Sequence, residues 1–132
     1  MVKIFWVPVK GRVVDGLGEG ARYVELYSEQ IRRILGMDPY PGTLNLVVDR
    51  FVAEKLFDPR NKVYVIPPPR PGLGEVYAWP AFVRTEPCLA IKPRITRHGI
   101  EIIEIVSSRH LRSWLGLSND SIVEVLVGVP TP

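Results

Sequence analysis

Asp15-Gly16-Leu17-Gly18-Glu19-Gly20-Ala21-Arg22 separates a Val-rich run from the longest helix-like segment of the chain. Its glycines stand at alternate positions, a carboxylate lies among them and an arginine follows. Glycine admits backbone conformations and close approaches that side chains block, so such a turn can cradle an anion on its N–H groups. The same pattern also suits a flexible hairpin or a barrel corner. Its meaning therefore depends on the segments to either side.

Upstream, residues 2–14 are rich in β-branched and aromatic residues and are divided by Pro8 and Gly11. They predict one bent or bulged strand, or two short ones. Downstream, Val24, Tyr27, Ile31, Ile34 and Leu35 recur at three- and four-residue steps, which predicts one amphipathic helix over 24–35 packed on a sheet. Ser28 is a candidate cap for a shorter version, Glu29 and Arg33 form an exposed i,i+4 pair, and Gly36 is the stop signal. Arg32 and Arg33 are expected to face solvent.

The rigid turn Pro39-Tyr40-Pro41-Gly42 feeds a strand over 43–48. There Leu44, Leu46 and Val48 alternate with Thr43, Asn45 and Val47, so the hydroxyl of Thr43 and the amide of Asn45 share a face. Together they can offer two oxygens to a hard cation that keeps water and phosphate oxygens in its other positions. By spacing alone, polar residues on a wet barrel face are the simpler explanation of the pair. Residues 49–58 read as a loop or short helix, 62–66 as a strand, and the proline run 67–72 as a connecting loop. A hairpin is expected over 76–93. Trp79 and Phe82 there are core residues, with stacking on an aromatic ligand as the alternative.

In the strand over 100–107, Glu104 shares a face with Ile102 and Val106, and Glu101 shares the other with Ile103 and Ile105. At least one carboxylate thus interrupts an apolar face, which is costly without a partner and points to a functional role. A short helix over 107–115 follows, with Arg109, His110 and Arg112 at its start offered to a phosphate. A last strand spans 121–129. His98 and His110 lack the paired local spacing of a zinc site, although His98 is a candidate substrate contact.

The chain has 132 residues, 46% hydrophobic and 23% charged, which bounds it to one globular domain over 1–132 with a core large enough to stand without disulfides. Net charge of +3 falls short of the concentrated basic surface of a dedicated nucleic-acid binder. Cys88 is the single cysteine. Its setting among apolar residues marks a buried small hydrophobe and fits a reducing, cytoplasmic location. No stretch has the length of a membrane span or the apolar core of a secretory signal. Thirteen prolines and eleven glycines between short Val/Ile runs favour a compact sheet or barrel over a bundle.

Taken in order and spacing, the turn over 17–22, Leu35-Gly36, Pro39-Tyr40, Gly42-Thr43-Leu44-Asn45-Leu46-Val47, the segment 96–105 and Leu111-Arg112 make the chain resemble the archaeal CTP-dependent riboflavin kinases over nearly its whole length. The resemblance implies a mainly β fold, a small closed six-stranded cradle-loop barrel with flanking short helices. It implies transfer of the γ-phosphoryl group of CTP to the 5′-hydroxyl of riboflavin, yielding FMN and CDP. Leu17, Gly18, Glu19, Gly20, Ala21 and Arg22 match the segment that wraps the nucleotide, and Arg109, His110, Leu111 and Arg112 match a second nucleotide-contacting segment. Thr43 and Asn45 match magnesium ligands, and Thr96 and Glu104 match residues facing the flavin. Glu104 is also the candidate to orient and deprotonate the acceptor hydroxyl.

Two departures stand out. Ala21 lengthens the spacing between Gly20 and the basic residue relative to a tighter Gly-Glu-Gly-Arg form, and the chain is one residue shorter between His98 and Glu101. The winged-helix region that many relatives carry at the N-terminus is expected to be absent here. A monomer without nucleic-acid or membrane partners is expected. The competing expectation is a non-catalytic small β-barrel that binds nucleotide, flavin or nucleic acid, supported by Arg32/Arg33 and Arg109/Arg112.

Overall fold

A computed structural model describes residues 3–94 and 99–131. Among them, strands β1 (Ile4–Val14), β2 (Leu44–Val48), β3 (Tyr64–Ile66), β4 (Val76–Val83), β5 (Glu86–Pro93), β6 (Ile102–Ser107) and β7 (Ile122–Pro130) form one antiparallel sheet in the order β3-β4-β5-β6-β2-β1-β7. A further pairing of β4 with β7 closes the sheet on itself. Because β3 pairs only with the first part of β4, it lies outside the ring, and the remaining six strands are the expected barrel.

Strand alternation assigns the two faces. Val9, Val13, Leu44, Leu46, Trp79, Ala81, Ala90, Ile103, Ile105, Val125 and Val127 turn inward and make the interior core. Trp79 is fully buried there, edge-on to Phe57 at 5.1 Å, and its indole N–H donates to the Asn61 carbonyl oxygen at 2.9 Å, so it serves the core and no ligand.

The outer wall carries a second apolar layer. Val24, Tyr27 and Ile31 pack on Ile66, Val76, Ala78, Leu89, Ile91 and Val106. The segment that supplies them differs from expectation, since α1 (Gly20–Leu26) and α2 (Ser28–Leu35) are separate helices. Tyr27 stands between them at φ −101° and ψ 12°, and it caps α2 through its backbone while Ser28 makes no cap bond. The break lets one continuous apolar stripe follow the curved wall, a tertiary demand that periodicity does not report. Gly36 ends α2 in the left-handed conformation as expected. Residues 49–58 contain α3 (Arg50–Leu56), capped by Asp49, and a single 3-10 turn over Pro59–Asn61 follows. The last helix, α4 (Leu111–Leu115), starts later than expected, because Ser107 completes β6 and His110 is the residue before the first turn.

Candidate active site

Three polar side chains meet on the outer wall where β2 lies beside β6. Asn45 and Glu104 are direct cross-strand partners, and Thr43 is two residues from Asn45 on the same face. The Thr43 hydroxyl donates to Glu104 Oε1 at 3.1 Å, and Asn45 Nδ2 donates to the Thr43 carbonyl and hydroxyl oxygens, both at 3.4 Å. Asn45 is only 6% exposed, and its Oδ1 is buried with no hydrogen-bond partner among the described residues. An amide oxygen in that state is costly unless something else binds it.

The glycine turn is what buries it. A β-carbon on Gly16 would lie 2.6 Å from Asn45 Nδ2, and one on Gly20 would lie 2.7 Å from Thr43 Oγ1. Contacts that close are excluded for any side chain, so glycine at these two positions lets the chain cross directly over the polar pair. Sequence spacing suggested that the turn binds an anion. It did not reveal that the turn also roofs Thr43 and Asn45.

Arg112 ties the second segment to this roof. Its guanidinium donates to the Val14 carbonyl oxygen at 3.1 Å, to Asp15 Oδ1 at 3.3 Å and to Asn119 Oδ1 at 2.9 Å, while Asn119 Nδ2 donates to Asp15 Oδ2 at 3.1 Å. The root of the turn and the start of α4 are thereby held as one unit. Beside them opens a cleft of about 200 Å³, walled by Tyr40–Leu44 on one side and by Ser107 and Arg109–Arg112 on the other. The Tyr40 N–H donates to the Ser107 carbonyl oxygen at 2.8 Å, which fixes the Pro-rich turn against the end of β6. The Tyr40 and His110 rings stack at 4.7 Å, and the His110 Nδ1 lies 2.7 Å from Ser113 Oγ.

A family model described as "Domain of unknown function DUF120", and named for CTP-dependent riboflavin kinase, matches residues 13–127. The chain belongs to the CTP-dependent riboflavin kinase family. It is 45% identical over 123 residues to a riboflavin kinase of Staphylothermus marinus, covering 92% of each chain. A riboflavin kinase of Ignicoccus hospitalis is 40% identical over 92% of this chain and 71% of its own length, and one of Aeropyrum pernix is 40% identical over 83% and 87%.

Within this family framework, the expected residues fall into groups. Thr43, Asn45 and Glu104 form one cluster, roofed by Gly16 and Gly20 and adjoining the cleft through Thr43. Arg109, His110, Leu111 and Arg112 line that cleft, although the Leu111 side chain belongs to the core. Arg109 is also engaged elsewhere, donating to Glu86 Oε2 at 3.1 Å and lying 4.7 Å over the Trp114 ring. Leu17, Gly18, Glu19, Ala21 and Arg22 are exposed along the turn and the first turn of α1. Thr96 and His98 lie outside the described residues. Tyr40, Asp15 and Asn119 received no site role from sequence. The stiff Pro-Tyr-Pro-Gly turn and the Pro39-Tyr40 motif were signals for Tyr40, whereas Asp15 and Asn119 meet Arg112 only through the fold.

Oxygen donors without histidine or cysteine suit a hard cation. Among the described residues there is no group of three or more His, Cys, Asp or Glu side chains able to hold a metal. The fit rests instead on the unpartnered Asn45 Oδ1 beside the Thr43 hydroxyl and the Glu104 carboxylate. Such a sparse set matches Mg²⁺, which takes few protein ligands and completes its shell with water and phosphate oxygens.

Proposed function

We propose that the protein transfers the γ-phosphoryl group of CTP to the 5′-hydroxyl of riboflavin, giving FMN and CDP, with Thr43 and Asn45 holding Mg²⁺. The observation that carries the site assignment is the buried, unpartnered Asn45 Oδ1 under the glycine turn, next to the Thr43–Glu104 hydrogen bond. Bound there, the ion would neutralise charge on the phosphate oxygens. The donor preference for CTP follows the family. Charge and metal requirements are the same for any nucleoside triphosphate.

Phosphoryl transfer through a loose transition state asks mainly for positioning and charge stabilisation. Backbone N–H groups of the 16–20 turn would face the phosphates, and the cleft from Tyr40 to Thr43 and Arg109 to Arg112 would take the rest of the nucleotide. Arg112 offsets negative charge while its bonds to Val14 and Asp15 keep the turn in place. Glu104, one oxygen already accepting from Thr43, orients the acceptor hydroxyl and can take its proton. The chain lacks the Gly-x-x-x-x-Gly-Lys-Ser/Thr pattern, so this is a phosphate site of a different construction from the P-loop.

The reading has the protein working as a cytoplasmic monomer without a nucleic-acid partner, in keeping with a single buried cysteine and a net charge of +3. Among the described residues no helix is long and apolar enough to cross a membrane. The deciding experiment measures FMN formed from riboflavin with Mg²⁺, comparing CTP and ATP. Product with CTP and little with ATP supports the proposal. A folded, Mg²⁺-supplied protein that forms none with either donor overturns it in favour of a binding barrel.

A further inference from the structure

A second group from α1 reaches the Glu104 side of the site. Gly20, Tyr23, Val24 and Tyr27 recur at helical steps and so share a face. Gly20 lies against Thr43, and Val24 and Tyr27 are buried on the outer wall. Tyr23 sits between these contacts and is aimed at the same wall.

Its ring is held in place. Tyr23 stacks on Tyr27 with centroids 4.6 Å apart and planes 21° from parallel, and the Tyr27 hydroxyl donates to the Gly74 carbonyl oxygen at 2.6 Å. Tyr27 is thus anchored by its own hydrogen bond, and Tyr23 is anchored by Tyr27. The Tyr23 hydroxyl, however, is buried and, among the described residues, no group stands in hydrogen-bonding geometry to it, the Tyr27 hydroxyl being its polar neighbour across the stack. A hydroxyl that satisfies nothing in the folded chain loses its water for no return. Burial pushes the pKa of this phenol far above its ordinary value, with the charges of Tyr27 and Glu104 adding to the effect. It therefore stays protonated throughout the physiological range and is a permanent donor beside a carboxylate.

Among the described residues, two buried groups without a partner lie around the Thr43–Glu104 hydrogen bond: the Asn45 amide oxygen, cross-strand from Glu104, and the Tyr23 hydroxyl, one helical turn beyond the Gly20 that meets Thr43 and near enough to Glu104 to feel its charge. The first is an acceptor suited to a cation. The second is a donor. A donor and a carboxylate acceptor side by side match a hydroxyl-rich chain, whose oxygens each accept and donate.

Resting on the kinase reading above, we infer that Tyr23 is a binding residue for the acceptor substrate, its hydroxyl donating to an oxygen of the ribityl chain of riboflavin beside Glu104. Tyr23→Phe keeps the stack on Tyr27 and removes only the donor. The expected result is riboflavin binding weakened about 10-fold, CTP binding unchanged, and an apo-protein melting temperature equal to or above that of the parent. Tyr27→Phe, which breaks the bond to Gly74, should instead lower the melting temperature. Lumiflavin, which lacks the ribityl chain, should bind Tyr23→Phe and the parent alike.

Riboflavin binding unaffected by Tyr23→Phe overturns the inference, as does an equal loss of CTP binding or a fall in apo stability that marks a structural role. Equal losses for lumiflavin and riboflavin overturn the ribityl assignment. If the parent protein binds no riboflavin, the kinase reading itself fails and this inference fails with it. Parent binding with an indifferent Tyr23→Phe removes this inference alone.

Discussion

Changing Asn45 to Ala removes the buried amide oxygen that the described residues leave unpaired beside Thr43. Mg²⁺-dependent formation of FMN should fall by about 100-fold or more, as expected when a metal loses a ligand. The folded state should tolerate the change, because deleting an unsatisfied group relieves a cost. Initial rates over a Mg²⁺ titration, with a thermal melt as control, check both halves. Gly20 offers a test of the roof. Its β-carbon would meet Thr43 Oγ1 at 2.7 Å and the Thr43 N at 3.3 Å, so Gly20→Ala must move either Thr43 or the start of α1. Turnover should drop about 10-fold, within the range that small displacements cost a catalytic group. Cys88 stands outside the chemistry. Burial pushes its thiol up to about 11, so at pH 7 the thiolate fraction is about 100-fold below that of an ordinary thiol, and the folded protein should resist iodoacetamide until it is unfolded.

Helical spacing correctly identified the residues of α1 and α2 that face the barrel, yet it joined two helices into one. The reason is geometric, since a straight helix of that length would leave the curved wall before its stripe ended. Strands were more legible. Alternation in β2 put Thr43 and Asn45 on one face, and alternation in β6 put Glu104 opposite Ile103 and Ile105, because a buried interior leaves each strand only one acceptable register. Between these strands and the interior, α3 depends on its cap. Asp49 Oδ1 accepts from the Val52 N–H at 3.2 Å, and the helix brings Ala53 and Phe57 into the interior core. Asp49→Ala should destabilise the protein by about 1 kcal/mol, measured by urea unfolding, with turnover unchanged because α3 contributes nothing to the cleft.

Closure of the barrel is unevenly shared among its seams. β1 and β7 pair along nine residue positions, from Ile4↔Pro130 to Arg12↔Ile122, whereas β4 and β7 meet only at Ala81↔Val127 and Phe82↔Leu126. A seam held by so few pairs should open at lower free energy than the rest of the ring. Hydrogen exchange checks this, with amides at the β4–β7 contact expected to exchange faster than those in the middle of β1 and β7. The site lies away from that seam, on β2 and β6, where ladder pairing is continuous on both sides. Its geometry is therefore set by the stiffer half of the barrel.

Sequence alone determined the interior and exterior faces of the strands, the amphipathic face of the helical segment, the burial of Cys88 and the candidate roles of Thr43, Asn45 and Glu104, because period, composition and motif order are local properties. Only the tertiary structure decided that Gly16 and Gly20 roof the Thr43/Asn45 pair, that Arg112 binds the root of the turn through Val14 and Asp15, and that the Tyr23 hydroxyl is buried against the wall that carries Glu104. Each of these depends on the ring closing so that segments distant in sequence share one wall, and no local pattern encodes which side chains then touch.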